Sequence, residues 1–175
     1  MQKIEPVEIN DSFWQQDGSK NESTEIIGQD YDLHAQIGYR LRVANQIAVE
    51  IFSDVLGAQI GSSKVTTGQF AVLSALWVRP GMAQSELALQ TAMDMPTLNG
   101  VLKRLTSRKL VDVAVAEDDK RFRVISLTPE GKTLAENLRS QAHLVSEQVL
   151  APLSVPDREH LLDLLDRLIL AHRSD

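Results

Sequence analysis

Apolar residues recur at steps of three and four over residues 33–55, which is the period of an amphipathic helix. The stripe consists of Leu33, Ile37, Leu41, Ala44, Ala48, Ile51 or Phe52, and Val55. We expect this long helix to end near Gly57, ahead of the Gly-Ser-Ser at 61–63. Residues 1–29 are polar, show no sustained period and predict a flexible N-terminal arm, in which Phe13 and Trp14 could dock on the folded part.

Shorter elements follow in the middle of the chain. Thr66 and Gln69 have the spacing of a capping box and predict a buried helix up to Val78, stopped by Pro80-Gly81. A short helix is expected from about Gln84 to Thr91. A second helix, capped by Asp94 and with Pro96 in its first turn, should run to about Lys109. Its inner face would be formed by Leu98, Val101, Leu102 and Leu105.

Two strand-like runs come next, residues 110–116 and 123–127, joined by a polar turn at 117–120. Thr128-Pro129 has the residue types of a helix start and opens a long helix. Ser154, together with Asp157, is expected to cap the last helix of the chain. The apolar stripes of these two helices are Leu134, Leu138, Ala142, Val145 and Val149, and then Leu161, Leu165, Leu168 and Ile169.

This order of elements is typical of a winged helix-turn-helix, in which the second short helix enters the major groove of DNA and a hairpin contacts the backbone or minor groove. The expected fold is mainly α with a small β-hairpin wing. The DNA-binding domain would span 64–128, between helical segments at 30–60 and 129–175. Because these flanking stripes cannot be buried within so small a domain, we expect them to form a two-fold homodimer, with the recognition helices about 34 Å apart.

The composition excludes several classes to which the protein could otherwise belong. The 175 residues include no cysteine, which excludes a disulfide scaffold, a cysteine-based zinc finger and a thiol nucleophile. No apolar run approaches the roughly 20 residues of a membrane span, so no membrane partner is expected. The N-terminus lacks the pattern of an export signal, and the expected compartment is the cytoplasm. The net charge of −6 by itself argues against a nucleic-acid binder.

The charge is unevenly distributed, however. Residues 1–34 carry two basic and eight acidic side chains, whereas residues 100–125 carry seven basic and four acidic ones, a net charge of +3. Binding to phosphates depends on such a local patch rather than on the total. A basic face that is merely solvated is the alternative.

Specific side chains follow from this arrangement. On the recognition helix, Thr97 and Asn99 could reach bases, while Lys103 and Arg104 could bind phosphates. At the wing tip Arg121 is the candidate for the minor groove. Alternatively, Arg104 pairs with Asp119 and joins wing to helix, and Lys120 and Arg121 are simply solvated. The full set of expected DNA contacts is Thr97, Asn99, Lys103, Arg104, Arg108, Lys120, Arg121 and Arg123.

Residues 33–172 resemble the MarR family of bacterial winged-helix transcription regulators. The stretch DKRFRVISLTPEGKTL at 119–134 is similar to the family's wing, and QSELALQTAMDMPTLNGVLKRLTSRKLV at 84–111 to its helix-turn-helix. Three positions depart from the family pattern: Ala83 stands in place of a Thr or Ser cap, Lys109 in place of Gly, and Gly100 in place of a frequent Arg. The Gly100 departure puts the usual base contacts in question. TLNGV at 97–101 is similar to a subgroup that responds to aromatic acids or their coenzyme A thioesters.

Arg40 projects beside the apolar stripe of the first long helix and needs an anionic partner. That partner is either a carboxylate of the protein, in the same or the other subunit, or an anionic ligand. The resemblance implies an effector pocket between the dimer helices and the DNA-binding domain, and Tyr39, Phe70 and Trp77 could line it; otherwise these aromatics belong to the core. The four histidines show no metal-binding spacing, so no metal or other cofactor is expected.

Together with these residues, the resemblance to the MarR family implies a homodimeric transcriptional regulator, a repressor released from a palindromic operator by a small anionic effector, either an aromatic acid or a coenzyme A thioester. The alternative is a winged-helix protein-interaction module that does not bind DNA. An enzyme is not expected, because the sequence contains no catalytic triad order, phosphate loop or metal motif.

Overall fold

The computed structural model of the protein describes residues 32–57, 64–115 and 123–173. In these ranges the chain is mainly helical, with a small antiparallel sheet, as predicted. In chain order the elements are α1 (Ile37–Gly57), α2 (Thr67–Val78), β1 (Met82–Ala83), α3 (Gln84–Thr91), α4 (Met95–Ser107), β2 (Val111–Val115), β3 (Arg123–Leu127), α5 (Pro129–Leu150) and α6 (Val155–Arg173). The predicted arm at 1–29 and the polar turn at 117–120 lie outside the described residues.

The first long helix begins four residues later than the apolar stripe predicts. Leu33–Ala35 forms a separate 3₁₀ turn, in which the Asp32 carboxylate accepts a hydrogen bond from the backbone N–H of His34 at 2.8 Å. Gln36 then adopts an extended conformation, with φ −74° and ψ 134°, and α1 starts at Ile37. The apolar period runs without a break from Leu33, but the extended backbone of Gln36 separates the 3₁₀ turn from α1.

The predicted helix starts are confirmed by their hydrogen bonds. The Thr66 hydroxyl accepts from the backbone N–H of Gln69, whose side chain in turn accepts from the backbone N–H of Thr66, so the capping box is complete. Asp94 accepts from the backbone N–H of Thr97 at 2.7 Å, and Thr128 precedes a helix with Pro129 in its first turn. Each cap satisfies N–H groups that a helix start leaves without partners.

Helices α3 and α4 both end on a non-glycine residue with positive φ. Ala92 has φ 53° and Lys109 has φ 57°. After α4, the N–H of Leu110 bonds to the carbonyl of Leu105 at 3.0 Å and that of Lys109 to Thr106 at 2.9 Å, which is a Schellman motif. The predicted end of α4 at about Lys109 is therefore wrong by two residues, because Lys109 is the left-handed residue that closes the helix.

The sheet has the strand order β1-β3-β2, with both pairs antiparallel. Ile125 of β3 is fully buried at the centre, opposite Met82 on one side and Val113 on the other. The two predicted strands are confirmed, although β2 begins at Val111, one residue later than the expected 110–116. Strand β1, two residues long, was not predicted.

The core lies under the helix-turn-helix. Its largest fully buried side chains come from α2, α3, α4 and the sheet, and Leu56 near the end of α1 and Leu138 in the middle of α5 complete it. The predicted inner face of α4 is confirmed, since all four of its apolar residues, Leu98, Val101, Leu102 and Leu105, are buried. This packing fixes which side of α4 faces outward.

The remaining helical surface is apolar and exposed. On α1, Ile37 is 66% exposed and Leu41 42%; on α6, Leu162 is 50% exposed and Leu170 65%. Within the described ranges α6 packs closely against no other element of its own chain. An exposed apolar surface of this extent on two helices is typical of an interface.

Two properties of the described residues bear on function. None of their helices is both long enough and apolar enough to cross a membrane. No group of three or more His, Asp or Glu side chains in this part of the chain is arranged to hold a metal ion.

Candidate nucleic-acid interface

Helix α4 presents a polar and basic surface on the side opposite its buried leucines. Thr97, Asn99, Lys103 and Arg104 are all exposed there. The start of the helix is fixed by Asp94, whose pKa is lowered by hydrogen bonds from Thr97, first from its side chain and second from its backbone N–H. An ionised carboxylate at a helix N-terminus is also favoured by the helix dipole.

A groove of about 450 Å³ runs between α4 and the sheet. Asn99 and Lys103 line it from the helix, and Arg123 lines it from the first position of β3. The structure thus brings together three of the residues that were predicted from the sequence to contact DNA. Arg123 pairs in register with Val115, so its position is set by the ladder between β2 and β3.

Gln84 belongs to the same groove and was not predicted. It is the first residue of α3, and its side-chain amide donates a hydrogen bond to the side-chain oxygen of Asn99. The bond joins the first helix of the helix-turn-helix to the recognition helix and orients the Asn99 amide. Fifteen residues separate the pair, so no local sequence pattern indicates it.

Arg108, the residue that follows the last turn of α4, has a different environment from the basic residues of that helix. It is half-buried, and its guanidinium donates to the side-chain oxygen of Gln69 at 3.4 Å. The same oxygen completes the capping box of α2. Arg108 therefore helps to hold α4 against α2, and only its remaining N–H groups are available for a phosphate.

Gly100 lies on the outward surface of α4 between the candidate contacts. A Cβ atom placed there would meet nothing within 4 Å. Glycine at this position is therefore not required by packing within the chain.

Two expected DNA contacts of the wing, Lys120 and Arg121, lie outside the described residues. So does Asp119, the alternative ion-pair partner of Arg104. Among the described residues Arg104 forms no ion pair.

The four residues expected around an effector fall into separate places. Arg40 is exposed, and its Nε donates to the backbone carbonyl of His34 at 3.1 Å. Tyr39 meets the His34 ring edge-on, with ring centroids 4.7 Å apart. Both residues thus pack on the 3₁₀ turn before α1. In the described part of the chain, no carboxylate pairs with Arg40.

Phe70 and Trp77 lie on α2 instead. Phe70 is half-buried, and its ring centroid is 5.5 Å from that of Phe52, at the opposite end of α1 from Arg40. Trp77 is 38% exposed, and its Nε1 donates to Glu136 at 3.3 Å. Phe70 therefore belongs to the edge of the core, as the alternative to a pocket residue predicted, whereas Trp77 lies at the surface between α2 and α5.

Comparisons with known proteins agree with this geometry. The MarR family model matches residues 63–121, from just before α2 into the wing. The HTH-type transcriptional repressor NicR of Pseudomonas putida is 32% identical over 139 residues, which cover 79% of this chain and 85% of NicR.

Solved structures extend the match to the flanking helices. A probable transcriptional regulator from Pseudomonas aeruginosa has a TM-score of 0.70 at 36% identity, covering 78% of this chain and 99% of that one. Bordetella bronchiseptica BpsR, whose DNA binding is regulated by 6-hydroxynicotinic acid, has a TM-score of 0.72 at 32% identity, covering 80% and 97%. The protein described here belongs to the MarR family of winged helix-turn-helix transcriptional regulators.

Proposed function

We propose that this protein is a cytoplasmic, homodimeric, DNA-binding repressor that a small anionic effector, an aromatic acid or a coenzyme A thioester, releases from a palindromic operator. The observation that carries the proposal is the outward surface of α4, where Thr97, Asn99, Lys103 and Arg104 are exposed above a fully packed inner face. The activity is binding, and no catalytic step is part of it.

Each side chain has a role in this complex. Thr97 and Asn99 lie in the N-terminal half of α4, the half that contacts base edges in a helix-turn-helix. Lys103, Arg104, Arg108 and Arg123 bind phosphates, which position the protein on the duplex. Lys120 and Arg121 follow the wing into the minor groove.

The exposed apolar surfaces of α1 and α6 support the homodimer. We assign residues 30–60 and 129–175 to dimerisation and residues 64–128 to DNA binding, with 1–29 as an arm. A two-fold dimer buries the same surface of both copies and places two recognition helices against two half-sites of a palindrome.

The relatives support the effector. NicR is a repressor, and DNA binding by BpsR is regulated by 6-hydroxynicotinic acid, which is an aromatic acid. We place the carboxylate of the effector on Arg40, whose guanidinium forms no hydrogen bond within the described residues other than that to His34. Tyr39 is adjacent, and Phe70 and Trp77 would contribute if the partner subunit brings α2 toward this end of α1. Release requires that the effector bind the DNA-incompetent dimer more tightly than the competent one.

The DNA-binding part is tested by fluorescence anisotropy with the promoter beside the protein's own gene. Affinity should fall steeply between about 50 and 200 mM salt, because phosphate contacts release counterions. Lys103→Ala should reduce the slope of log affinity against log salt concentration by about one, since one phosphate contact is lost. Arg121→Ala should weaken operator binding by about 1–3 kcal/mol.

The matched control is Lys20→Ala, which removes a basic charge from the arm at 1–29, where neither a DNA contact nor dimerisation is assigned. It should bind as the wild type does. Affinity that stays flat with salt would contradict the assignment of this surface and favour a protein-interaction module, to which the net charge of −6 also points.

The effector part is tested with 6-hydroxynicotinic acid and its neutral amide. The acid should release the operator complex and the amide should not. Arg40→Ala should keep the dimer and the operator affinity but lose the response. If Arg40→Ala instead dissociates the dimer or lowers its melting temperature, Arg40 is structural and the effector contact lies elsewhere.

A further inference from the structure

Two side-chain amides, those of Gln84 and Asn99, meet in the groove between α4 and the sheet. Gln84 is half-buried and Asn99 is exposed, and neither side chain forms another hydrogen bond within the described residues. An amide oxygen can accept two hydrogen bonds and an amide nitrogen can donate two. The single bond between the amides therefore leaves most of their donors and acceptors available to a partner in the groove.

The backbone fixes the positions of both amides. Gln84 directly follows β1, whose Ala83 pairs with Val124 of β3. Leu98, the residue before Asn99, is fully buried in the core under α4. The bond thus joins two helices that are each held by the core, and the Asn99 amide is oriented before any DNA arrives. Preorganisation of this kind reduces the entropy lost on binding.

The direction of the bond determines which way round the Asn99 amide is held. The nitrogen of Gln84 donates, and the oxygen of Asn99 accepts. One lone pair of that oxygen is occupied, so its second lone pair and the neighbouring NH₂ group remain for another partner. They place an acceptor next to a donor. The major-groove edge of adenine carries the complementary pair, with the N6 amino group as donor and N7 as acceptor.

The surroundings of the amide pair are cationic. Lys103, one turn after Asn99, and Arg123 at the start of β3 line the same groove, and no acidic residue of the described ranges does. Cations bind phosphates, which fix the register of a protein on the duplex but carry no sequence information directly. The neutral amide pair, by contrast, can distinguish one base from another.

We propose that Gln84 is a positioning residue for base recognition, and that it holds the Asn99 amide so that Asn99 binds N6 and N7 of one adenine in each half-site. This inference rests on the proposed DNA binding and adds to it the base that Asn99 contacts. Gln84 acts through Asn99 rather than by its own contact with the base. Both helices of the helix-turn-helix thus contribute to sequence preference.

Base preference is measured by sequencing the duplexes that the protein retains from a pool of randomised sequence. The full-length wild type and Asn99→Ala are compared at the same salt concentration. The position at which Asn99→Ala loses its preference is the one that Asn99 contacts. The wild type should prefer adenine there by about fivefold or more, because a bidentate amide pair discriminates against the other bases.

Gln84→Glu tests the direction of the bond. The introduced carboxylate only accepts hydrogen bonds, so it takes one from the NH₂ group of Asn99 and turns that amide over. Donor and acceptor are then exchanged, and the preference for adenine should be lost. The matched control is Gln90→Glu, the same substitution at an exposed position of α3 outside the groove. It adds the same charge and should keep the preference.

A double-mutant comparison separates positioning from a purely structural bond. Gln84→Ala lets the Asn99 amide turn and should reduce the preference for adenine. In the Asn99→Ala background the same change should have no further effect on base preference, because the side chain through which Gln84 acts is gone. The melting temperature of each variant shows that it is folded.

Three outcomes would overturn the proposal. The wild type prefers a base other than adenine at the position that depends on Asn99, or Gln84→Glu keeps the adenine preference, or Gln84→Ala weakens binding to all sequences equally. Each of these leaves the proposed DNA binding intact. A wild type that selects no sequence and whose affinity stays flat with salt would instead overturn the DNA binding and this inference together, so the two failures are distinguishable.

Discussion

The hydroxyl of Thr128 donates a hydrogen bond to the backbone carbonyl of Lys109 at 2.8 Å and so joins the segment after α4 to the start of α5. The same hydroxyl accepts from the backbone N–H of Gly131 at 3.0 Å, and the N–H of Thr128 donates to the carbonyl of Leu110 at 3.2 Å. One threonine thus caps α5 and fixes it to the end of the recognition helix. The orientation of α4 relative to α5 depends on this junction.

Gly131→Ala should destabilise the protein by about 3 kcal/mol, because the added Cβ would lie 1.9 Å from the Leu110 carbonyl oxygen, a backbone atom that cannot turn aside. Gly100→Ala is the matched control: it makes the same change in α4 where nothing lies within 4 Å. It should be stabilising by up to about 1 kcal/mol through helix propensity. Urea denaturation of both variants measures the difference, and equal stabilities would show that the Gly131 contact is relieved.

Lys109→Gly should stabilise the protein by about 1 kcal/mol, because Lys109 has φ 57° and glycine adopts this conformation without steric cost. Lys109→Ala removes the same charge but keeps a Cβ, and it should bring no such gain. Thermal denaturation of the two variants separates backbone strain from charge. If both variants are stabilised equally, the charge of Lys109 rather than its φ is responsible.

Stability should respond to protonation of Asp94. Its pKa in the folded protein is lowered from the ordinary value of 3.8 by hydrogen bonds from Thr97, so ionised Asp94 stabilises the fold. This contribution is complete above the unfolded-state value and is lost as the pH falls through the folded-state value. Asp94→Asn keeps a capping oxygen but does not titrate.

The melting temperature of the wild type should therefore fall toward that of Asp94→Asn between pH 6 and about pH 2.5. A difference between the two proteins that is the same at both pH values would show that ionisation of Asp94 does not contribute.

Removal of residues 155–175 should abolish the dimer and tight operator binding, because α6 has exposed apolar residues and no close partner in its own chain among the described elements. Sedimentation velocity measures the oligomeric state. Removal of residues 174–175 alone is the control and should leave the dimer intact.

A second variant retains the helix. Leu168→Glu combined with Ile169→Glu places charge on two α6 residues that are 45% and 47% exposed in the single chain. It should dissociate the dimer while the melting transition of the monomer persists. A stable, DNA-binding dimer in either α6 variant would refute the assignment of this helix.

The sequence alone determined the features that depend on neighbouring residues. The Thr66–Gln69 box, the Asp94 cap and the Thr128-Pro129 start are made within three or four residues, so their residue types are sufficient to place a helix start. The period of the buried leucines likewise determined which side of α4 packs inward. The order of these elements then indicated a winged helix-turn-helix.

Tertiary structure decided what depends on residues far apart in the chain. Strand β1 has only two residues and exists because Met82 and Ala83 pair with β3. Arg108 turns toward Gln69, and Gln84 binds Asn99, through contacts that span 39 and 15 residues. The aromatic and basic residues around Trp77 meet because α2 packs on α5. Such contacts form only once the core has brought the helices together, and no spacing along the chain encodes them.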